Sequence, residues 1–357
     1  MKILIVGFHP RGHVPYVGNY ENALNKLGID YDAVYWDRFN DGDLEKNSNE
    51  FIIHIRCSLG GNRLKKIIPM FKYRSIVKNI IKDGCYDKII VLSTLPAVLL
   101  SGILLSRYRN KYILDIRDYT YEKYNFYKNI VDDLVDKSFF TGISSKGFMR
   151  FLHCNNKIVY THNITNESAE IKDVKVLDLS RRINIGFVGG VRYFRENSAL
   201  ISKLDSSKFC LSYIGYRHSD CDLEEFCIKR GIRNVFFKGK FKNEDKPQIY
   251  RDIDIINSLY GDFSLEVTTA VPNRLYDALL FKKPIIVSKG TYLAEIVINK
   301  GIGIAVDINN DDVNDLIVNY VKSINYNDFV KNANVFLNEI RQEQNCYLRK
   351  IDEFLKA

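Results

Sequence analysis

The sequence predicts an α/β protein of two doubly wound, Rossmann-like domains. Three observations lead there. A chain of 357 residues exceeds one typical domain and suits two. Short apolar runs rich in β-branched residues, such as Ile3-Leu4-Ile5-Val6 and Ile285-Ile286-Val287, recur and exit into loops containing Gly, Pro or Ser, which is how strands buried on both faces read. Helical patterns alternate with them, as in parallel sheets with crossover helices. Hydrophobic residues at 46% and charged residues at 27% describe an ordinary globular protein.

In the first domain (residues 1–165), residues 2–7 form a strand that runs into Phe8-His9-Pro10-Arg11-Gly12-His13-Val14-Pro15 and a helix over 17–27. That loop is not G-x-G-x-x-G, so dinucleotide binding is not expected. Arg11, Gly12 and His13 are the polar and flexible positions of that loop, which reads either as a ligand-facing loop or as a plain surface loop. Strands follow at 31–36 and 51–55. Asn40-Asp41-Gly42-Asp43 contains D-x-D, as does Asp252-Ile253-Asp254. The first lies in a polar loop and reads as turn chemistry, and the second opens a strand; neither has the further ligands a divalent cation needs, so no metal is expected.

Residues 62–82 read as a helix, bent at Pro69, with Leu64, Ile67, Ile68, Phe71, Ile76 and Ile80 among cations. A basic amphipathic helix suits an anionic membrane surface. No nucleic-acid motif accompanies it, so no nucleic-acid partner is expected. Residues 89–106 are eighteen without a charge, near the ~20 that cross a bilayer, but Pro96 and Gly102 fit a buried strand, a turn and a helix better. The strand at 112–116 delivers Arg117-Asp118 to its C-terminal end, where active sites of parallel sheets form. Asp118 is therefore a candidate active-site carboxylate, with a helix N-cap as the alternative. Residues 140–143 and 157–160 close the domain, His162 braces its exit, and 166–182 read as a polar linker.

The second domain (183–325) opens with a strand at 183–188 and Gly189-Gly190-Val191-Arg192. Glycine lets backbone approach phosphate, and Arg192 can bind a diphosphate. Arg195 follows. Gly215-Tyr216 and Lys238-Gly239 leave the strands at 211–214 and 235–237 as strand-to-loop exits, and a further loop runs over 258–270. The densest stretch is 271–307, VPNRLYDALLFKKPIIVSKGTYLAEIVINKGIGIAVD. Pro272 sets φ for a first helical turn with Asn273 as N-cap candidate, and Leu275, Ala278 and Leu279 recur at helical spacing. A helix start receives phosphate, Arg274 adds a cation there, and Asp277 one turn on offers an acceptor pair for vicinal hydroxyls. Residues 311–320 and 326–355 read as helices, the last a C-terminal segment.

PNRLYDALLFKKPIIVS…LAEIV…GIGIAVD resembles the donor-binding segment of family 4 retaining glycosyltransferases of the GT-B type, which usually reads P-(S/N)-K-L-(F/Y)-E-A-L-x-x-G-K-P-V-I, then L-x-E-I-V, then G-x-G-x-x-V-D. L-D-I-R-D-x-x-x-E, ending at Glu122, is similar to that family's acceptor-side segment. The resemblance implies two domains facing a cleft, the C-terminal helix returning to the first domain, and a nucleotide-sugar donor bound by Gly190, Arg192, Arg195, Gly215, Tyr216, Lys238, Gly239, Pro272, Asn273, Arg274, Leu275 and Asp277. It implies a catalytic set of Asp118, Arg192 and Arg274, with Asp118 positioning or deprotonating the acceptor hydroxyl, and no cofactor. It also implies a cleft loop of Arg11, Gly12 and His13 meeting donor phosphate and acceptor, Gly215-Tyr216 and Lys238-Gly239 lining a base pocket, and the loop 258–270 facing the donor sugar. Eight residues before Asp277, where the family often has an acid, stands Thr269. Backbone N–H groups, Glu266, or a sugar lacking that hydroxyl would account for it.

The net charge of +9 is uneven: residues 1–165 hold 24 Lys and Arg against 16 Asp and Glu, and 51–82 hold eight basic residues and no acid. Seven cysteines without a C-x-x-C pair suggest reduced, buried thiols in the cytoplasm. Met1-Lys2 leads straight into the first strand, so no export signal is expected. The expected activity is transfer from a nucleotide-sugar to a lipid-linked saccharide of cell-surface polysaccharide assembly (capsule included), by a cytoplasmic, metal-independent, hexosyltransferase-type enzyme peripheral to the inner face of the plasma membrane. Two other readings share the architecture: a nucleotide-sugar 2-epimerase, and a non-catalytic partner protein.

Overall fold

The strands are where the apolar β-branched runs lie, and both sheets are wholly parallel. The structure, a computed structural model, describes residues 1–38, 47–57, 64–164, 176–217 and 221–357, with residues 64 and 65 described by backbone alone. The chain forms two units, Met1–His162 with Gln342–Ala357, and Asn163–Arg341. The D-x-D at 41–43, the first two residues (62 and 63) of the expected basic helix and most of the 166–182 linker lie outside the described residues.

In the first unit seven strands, β1 (Lys2–Val6), β2 (Asp30–Asp37), β3 (Glu50–His54), β4 (Lys88–Leu92), β5 (Tyr112–Ile116), β6 (Phe140–Ile143) and β7 (Ile158–Tyr160), stand in the order β3-β2-β1-β4-β5-β6-β7. Ile3 to Val6 are fully buried, as are Ile89 to Val91, because helices cover both faces. The core on one face joins Ile3, Ile5, Tyr20, Leu24, Ile90 and Ile113 to Tyr347, Ile351, Phe354 and Leu355 of the C-terminal helix.

In the second unit β8 (Ile183–Val188), β9 (Phe209–Ile214), β10 (Val235–Lys238), β11 (Ile255–Ser258), β12 (Ile285–Ser288) and β13 (Gly303–Val306) stand in the order β10-β9-β8-β11-β12-β13. The order reverses direction between β8 and β11, as it does between β1 and β4 in the first unit. Open α/β sheets bind ligands at the C-terminal strand ends beside such a reversal.

Three local expectations shift. Pro272, not Asn273, is the helix N-cap, with extended φ −77° and ψ 156°; Asn273 is the first helical residue and its side chain accepts from Asn163 Nδ2 at 3.1 Å. Asp252-Ile253-Asp254 does not open a strand: a helix, Lys246–Asp252, ends there and β11 begins at Ile255. Asp254 accepts both Arg181 Nη bonds at 2.7 Å and the Asn184 N–H at 2.9 Å, which turns the chain before the strand. Of the seven cysteines, all free, only Cys57, Cys221 and Cys227 are buried. Among the described residues no helix is long and apolar enough to cross a membrane. The strand and short helices over residues 88–104 take up the uncharged run.

Candidate functional site

Two glycines shape the C-terminal edge of the second sheet. Gly189 follows β8 with φ +124° and Gly215 follows β9 with φ +139°. A Cβ on Gly215 would lie 2.0 Å from the Gly189 carbonyl oxygen, so backbone contact dictates glycine there. Gly190 is half-buried beside them.

Arg274 comes up beneath this turn from the first turn of the Asn273–Leu280 helix. It is only 4% exposed. Nη1 donates to the Val188 carbonyl at 3.1 Å, Nε to Ser258 Oγ at 3.4 Å, and Nη2 to the Tyr260 hydroxyl. The guanidinium lies 3.7 Å from the Phe187 ring centroid and 4.8 Å from that of Tyr260. Val188 and Ser258 end β8 and β11, so this cation sits at the reversal of strand order. A Cβ on Gly189 would lie 3.7 Å from Nη1, so the glycine backbone lies close beside the charge.

Tyr260 is held from both sides. Its ring stacks on Tyr193 at 4.3 Å, and Tyr193 adopts φ +62°, a costly conformation for a large side chain. Burial, then the neighbouring Tyr260, pushes the Tyr193 hydroxyl up to about 12. Ser288 Oγ accepts from the Tyr260 and Gly261 N–H groups at 3.1 and 2.9 Å, which ties this loop to the end of β12. Glu196 is buried against Gly261, and burial raises its pKa.

The other expected residues divide. Arg192, Tyr216, Lys238 and Gly239 are exposed at the same strand ends, Arg195 is exposed in the first turn of the Phe194–Lys203 helix, and Lys240 Nζ lies over the Tyr216 ring at 5.5 Å. Leu275 is buried in the hydrophobic core with Val188, Ile256 and Leu279. Asp277 is also buried: it accepts from Lys246 Nζ at 2.9 and 3.2 Å and from the Tyr250 hydroxyl at 2.7 Å. Thr269 is fully buried, its hydroxyl donating to the Leu265 carbonyl at 2.6 Å. Tyr260, Tyr193, Ser258, Ser288 and Lys246 were not anticipated individually. Only the choice of 258–270 as a ligand-facing loop pointed toward two of them.

In the first unit Asp118 is exposed just past β5. Its neighbour Arg117 is buried, with Nε on Asp115 Oδ1 at 2.6 Å and Nη2 on Thr161 Oγ1 at 3.3 Å; Asp115 also accepts from Tyr20 and Tyr347 at 2.8 and 3.0 Å. Glu122 anchors the loop: it accepts from Thr94 Oγ1 at 2.8 Å and the Thr120 N–H at 2.6 Å, while burial raises its pKa. Arg11 is tied to Glu21 at 2.5 Å and lies 3.5 Å from Glu50, so its charge is answered within the protein. Gly12 and His13 are exposed in the same short turn. His162 Nε2 pairs with Glu343 at 2.8 Å. Among the described residues no group of three or more His, Cys, Asp or Glu is arranged to hold a metal ion.

Neither family models nor curated protein sequences give a match to this chain. Solved structures do. The lipopolysaccharide outer core galactosyltransferase WaaB, in apo form, is 14% identical with a TM-score of 0.63, covering 99% of each chain. HepE of Anabaena, in complex with UDP and glucose, is 11% identical with a TM-score of 0.63, covering 99% of this chain and 100% of that one. An α,α-trehalose-phosphate synthase from Burkholderia xenovorans, in complex with glucose-6-phosphate, is 8% identical with a TM-score of 0.65, covering 100% of this chain and 99% of that one. At such identities the likeness speaks for the fold, and the fold, along the whole chain, is the two-domain GT-B architecture.

Proposed function

We propose that this protein is a glycosyltransferase that moves a hexosyl group from a nucleotide-sugar to a lipid-linked saccharide, with retention of configuration, in cell-surface polysaccharide assembly. The observation that carries the reading is Arg274, buried at the reversal of strand order beneath the Gly189–Gly215 contact. A buried guanidinium beside a glycine backbone suits a diphosphate leaving group, because a fixed charge in a poorly solvated site strengthens as negative charge develops. Exposed Arg192 adds a second cation. The two together neutralise the diphosphate without a metal ion. Tyr216, Lys238 and Gly239 line the base side, and Asp118 serves the acceptor hydroxyl.

Two further features support the finer parts of the reading. HepE carries UDP and glucose and the trehalose-phosphate synthase glucose-6-phosphate, so the fold accommodates nucleotide and sugar phosphate. The basic Leu64–Asp83 helix exposes Ile67, Ile68 and Phe71, which suits a membrane-borne acceptor and a peripheral location on the cytoplasmic leaflet.

The test is incubation of the full chain with a panel of nucleotide-sugars, with and without polyprenyl-linked saccharides, following nucleoside diphosphate release. One donor is expected to release diphosphate in an acceptor-dependent way, unaffected by EDTA. Epimerised free donor formed without acceptor would make the protein a 2-epimerase. Activity lost in EDTA and regained with Mn²⁺ would overturn metal independence. Thr269 favours one rival, a non-catalytic partner protein: its hydroxyl is closed on Leu265 and supplies no acid. Absence of binding to every donor would establish that rival.

A further inference from the structure

Just past the end of β2, at Arg38, the first unit buries a guanidinium with little among the described residues to satisfy it. Arg38 is 7% exposed. Among the described residues its Nη2 reaches Cys57 Sγ at 3.7 Å, a weak acceptor, and its Nε has no hydrogen-bond partner. The guanidinium lies 5.2 Å from the ring centroids of both Phe8 and Trp36. Aromatic faces attract a cation but leave its N–H donors unfilled. The adjacent carboxylate, Asp37, is held by His54 at 2.9 Å. A buried charge without a counter-ion is destabilising, and removal from water sharpens its demand for one.

Among the described residues the neighbouring groups do not supply that counter-ion. Arg11, in the short turn after β1, already has Glu21 and Glu50. His9 follows β1 beside Arg38, and its pKa is lowered to about 4, first by burial and then by the Arg38 charge. At neutral pH it is an uncharged ring that donates or accepts one hydrogen bond. The C-terminal ends of parallel strands are where such folds take ligands.

We propose that Arg38, with the Phe8 and Trp36 faces behind it, binds a phosphate-type oxyanion at the ends of β1 and β2, a second anion site in the unit that does not contain Arg274. The guanidinium fork matches two phosphate oxygens. The phosphate belongs to the acceptor, as a soluble phosphate ester or a lipid phosphate. That last identification rests on the glycosyltransferase reading; the anion site does not.

Trp36 is the only tryptophan, and it is fully buried with its Nε1 donating to the Ile55 carbonyl at 2.8 Å. Its emission therefore reports on Arg38 without a label. The full chain is titrated with inorganic phosphate, with a hexose 1-phosphate, and with phosphatidylglycerol or phosphatidylcholine vesicles. A saturable change in emission is expected with at least one phosphate probe. A response to the soluble esters identifies a soluble phosphate, and a response to phosphatidylglycerol vesicles alone identifies a lipid phosphate; either supports the site. Arg38→Gln is expected to abolish the response while Tm holds or rises, since an uncompensated charge is removed. Arg38→Lys keeps the charge without the fork and is expected to bind about tenfold more weakly. Arg274→Ala is expected to leave the response intact, so failure of the donor assignment does not touch this one. No saturable change with any probe, or undiminished affinity in both Arg38 variants, overturns the proposal. A fall in Tm of Arg38→Gln with no response in the parent makes Arg38 a structural brace instead.

Discussion

At the scale of single residues, the two cations assigned to the donor diphosphate differ in what surrounds them, and that predicts unequal roles. Arg274 is buried and bonded to Val188, Ser258 and Tyr260, whereas Arg192 is exposed to solvent and salt. Arg274→Ala is expected to weaken nucleoside diphosphate binding by about 2–5 kcal/mol, the usual loss for a desolvated charged partner. Arg192→Ala is expected to lose less, and its loss to shrink in salt. Calorimetry of both variants, with Tm recorded for each, checks this; unchanged affinity in both removes the site. Asp277 presents a different case because Lys246 and Tyr250 already use its carboxylate. Asp277→Asn should lower stability by about 1–3 kcal/mol, toward the low end because Lys246 is partly exposed. A ribose contact would add a loss of ribonucleotide affinity that a 2′-deoxy diphosphate does not share. Equal loss for both ligands assigns Asp277 to the fold. Arg274 and Gly215 were legible in the sequence because a glycine after a strand and a cation in a first helical turn are local patterns. The Lys246–Asp277, Tyr260–Arg274 and Glu50–Arg11 pairs were not, because each depends on which elements the sheet order sets side by side.

At the scale of elements, the Leu64–Asp83 helix shows what periodicity can and cannot settle. The mixture of cations and apolar residues was plain, but not which apolar residues the unit covers. Tyr73, Val77 and Ile81, spaced by four, are buried, and Tyr73 donates to the Gly7 carbonyl at 2.7 Å. Ile67, Ile68, Phe71 and Ile76 are left exposed at 39–66%. The apolar residues expected to meet lipid are therefore largely those the fold does not use. Each cation near an anionic surface contributes roughly 1 kcal/mol, and inserted apolar side chains add to it. Co-sedimentation with anionic vesicles is expected at low salt and to weaken at high salt. Lys66→Glu with Lys72→Glu should reduce it at least about tenfold, and Ile68→Ser with Phe71→Ser should reduce it even where salt has little effect. Binding indifferent to lipid charge, salt and all four substitutions would remove this helix from the function.

At the scale of the whole molecule, two parallel sheets were legible because strands such as β1, β4 and β12 are apolar runs bounded by loop residues. Their strand orders were not, since a crossover can return to either side of its parent strand and only long-range packing decides. The C-terminal helix, Tyr326–Lys356, makes that long-range dependence testable. Its first half supplies Phe329, Ala333, Leu337 and Ile340 to the core of the second unit, and its second half supplies Tyr347, Ile351, Phe354 and Leu355 to the core of the first. A chain ending at Arg341 therefore leaves the second unit complete and strips the first of four buried side chains, each contributing about 1.5–3 kcal/mol. It also removes the Tyr347 bond to Asp115, beside the buried Arg117. The sum is comparable to the whole stability of a domain, about 5–15 kcal/mol. The truncated protein is expected to lose amide protection in β1, β4, β5 and β6 while β8, β11 and β12 keep theirs, as read by hydrogen exchange and mass spectrometry. Restoring residues 342–357 as a separate peptide should return part of that protection, more weakly than the covalent chain, because association then has to overcome lost translational freedom. Protection in β1 and β5 that survives truncation would show that the first unit folds without the end of its own chain.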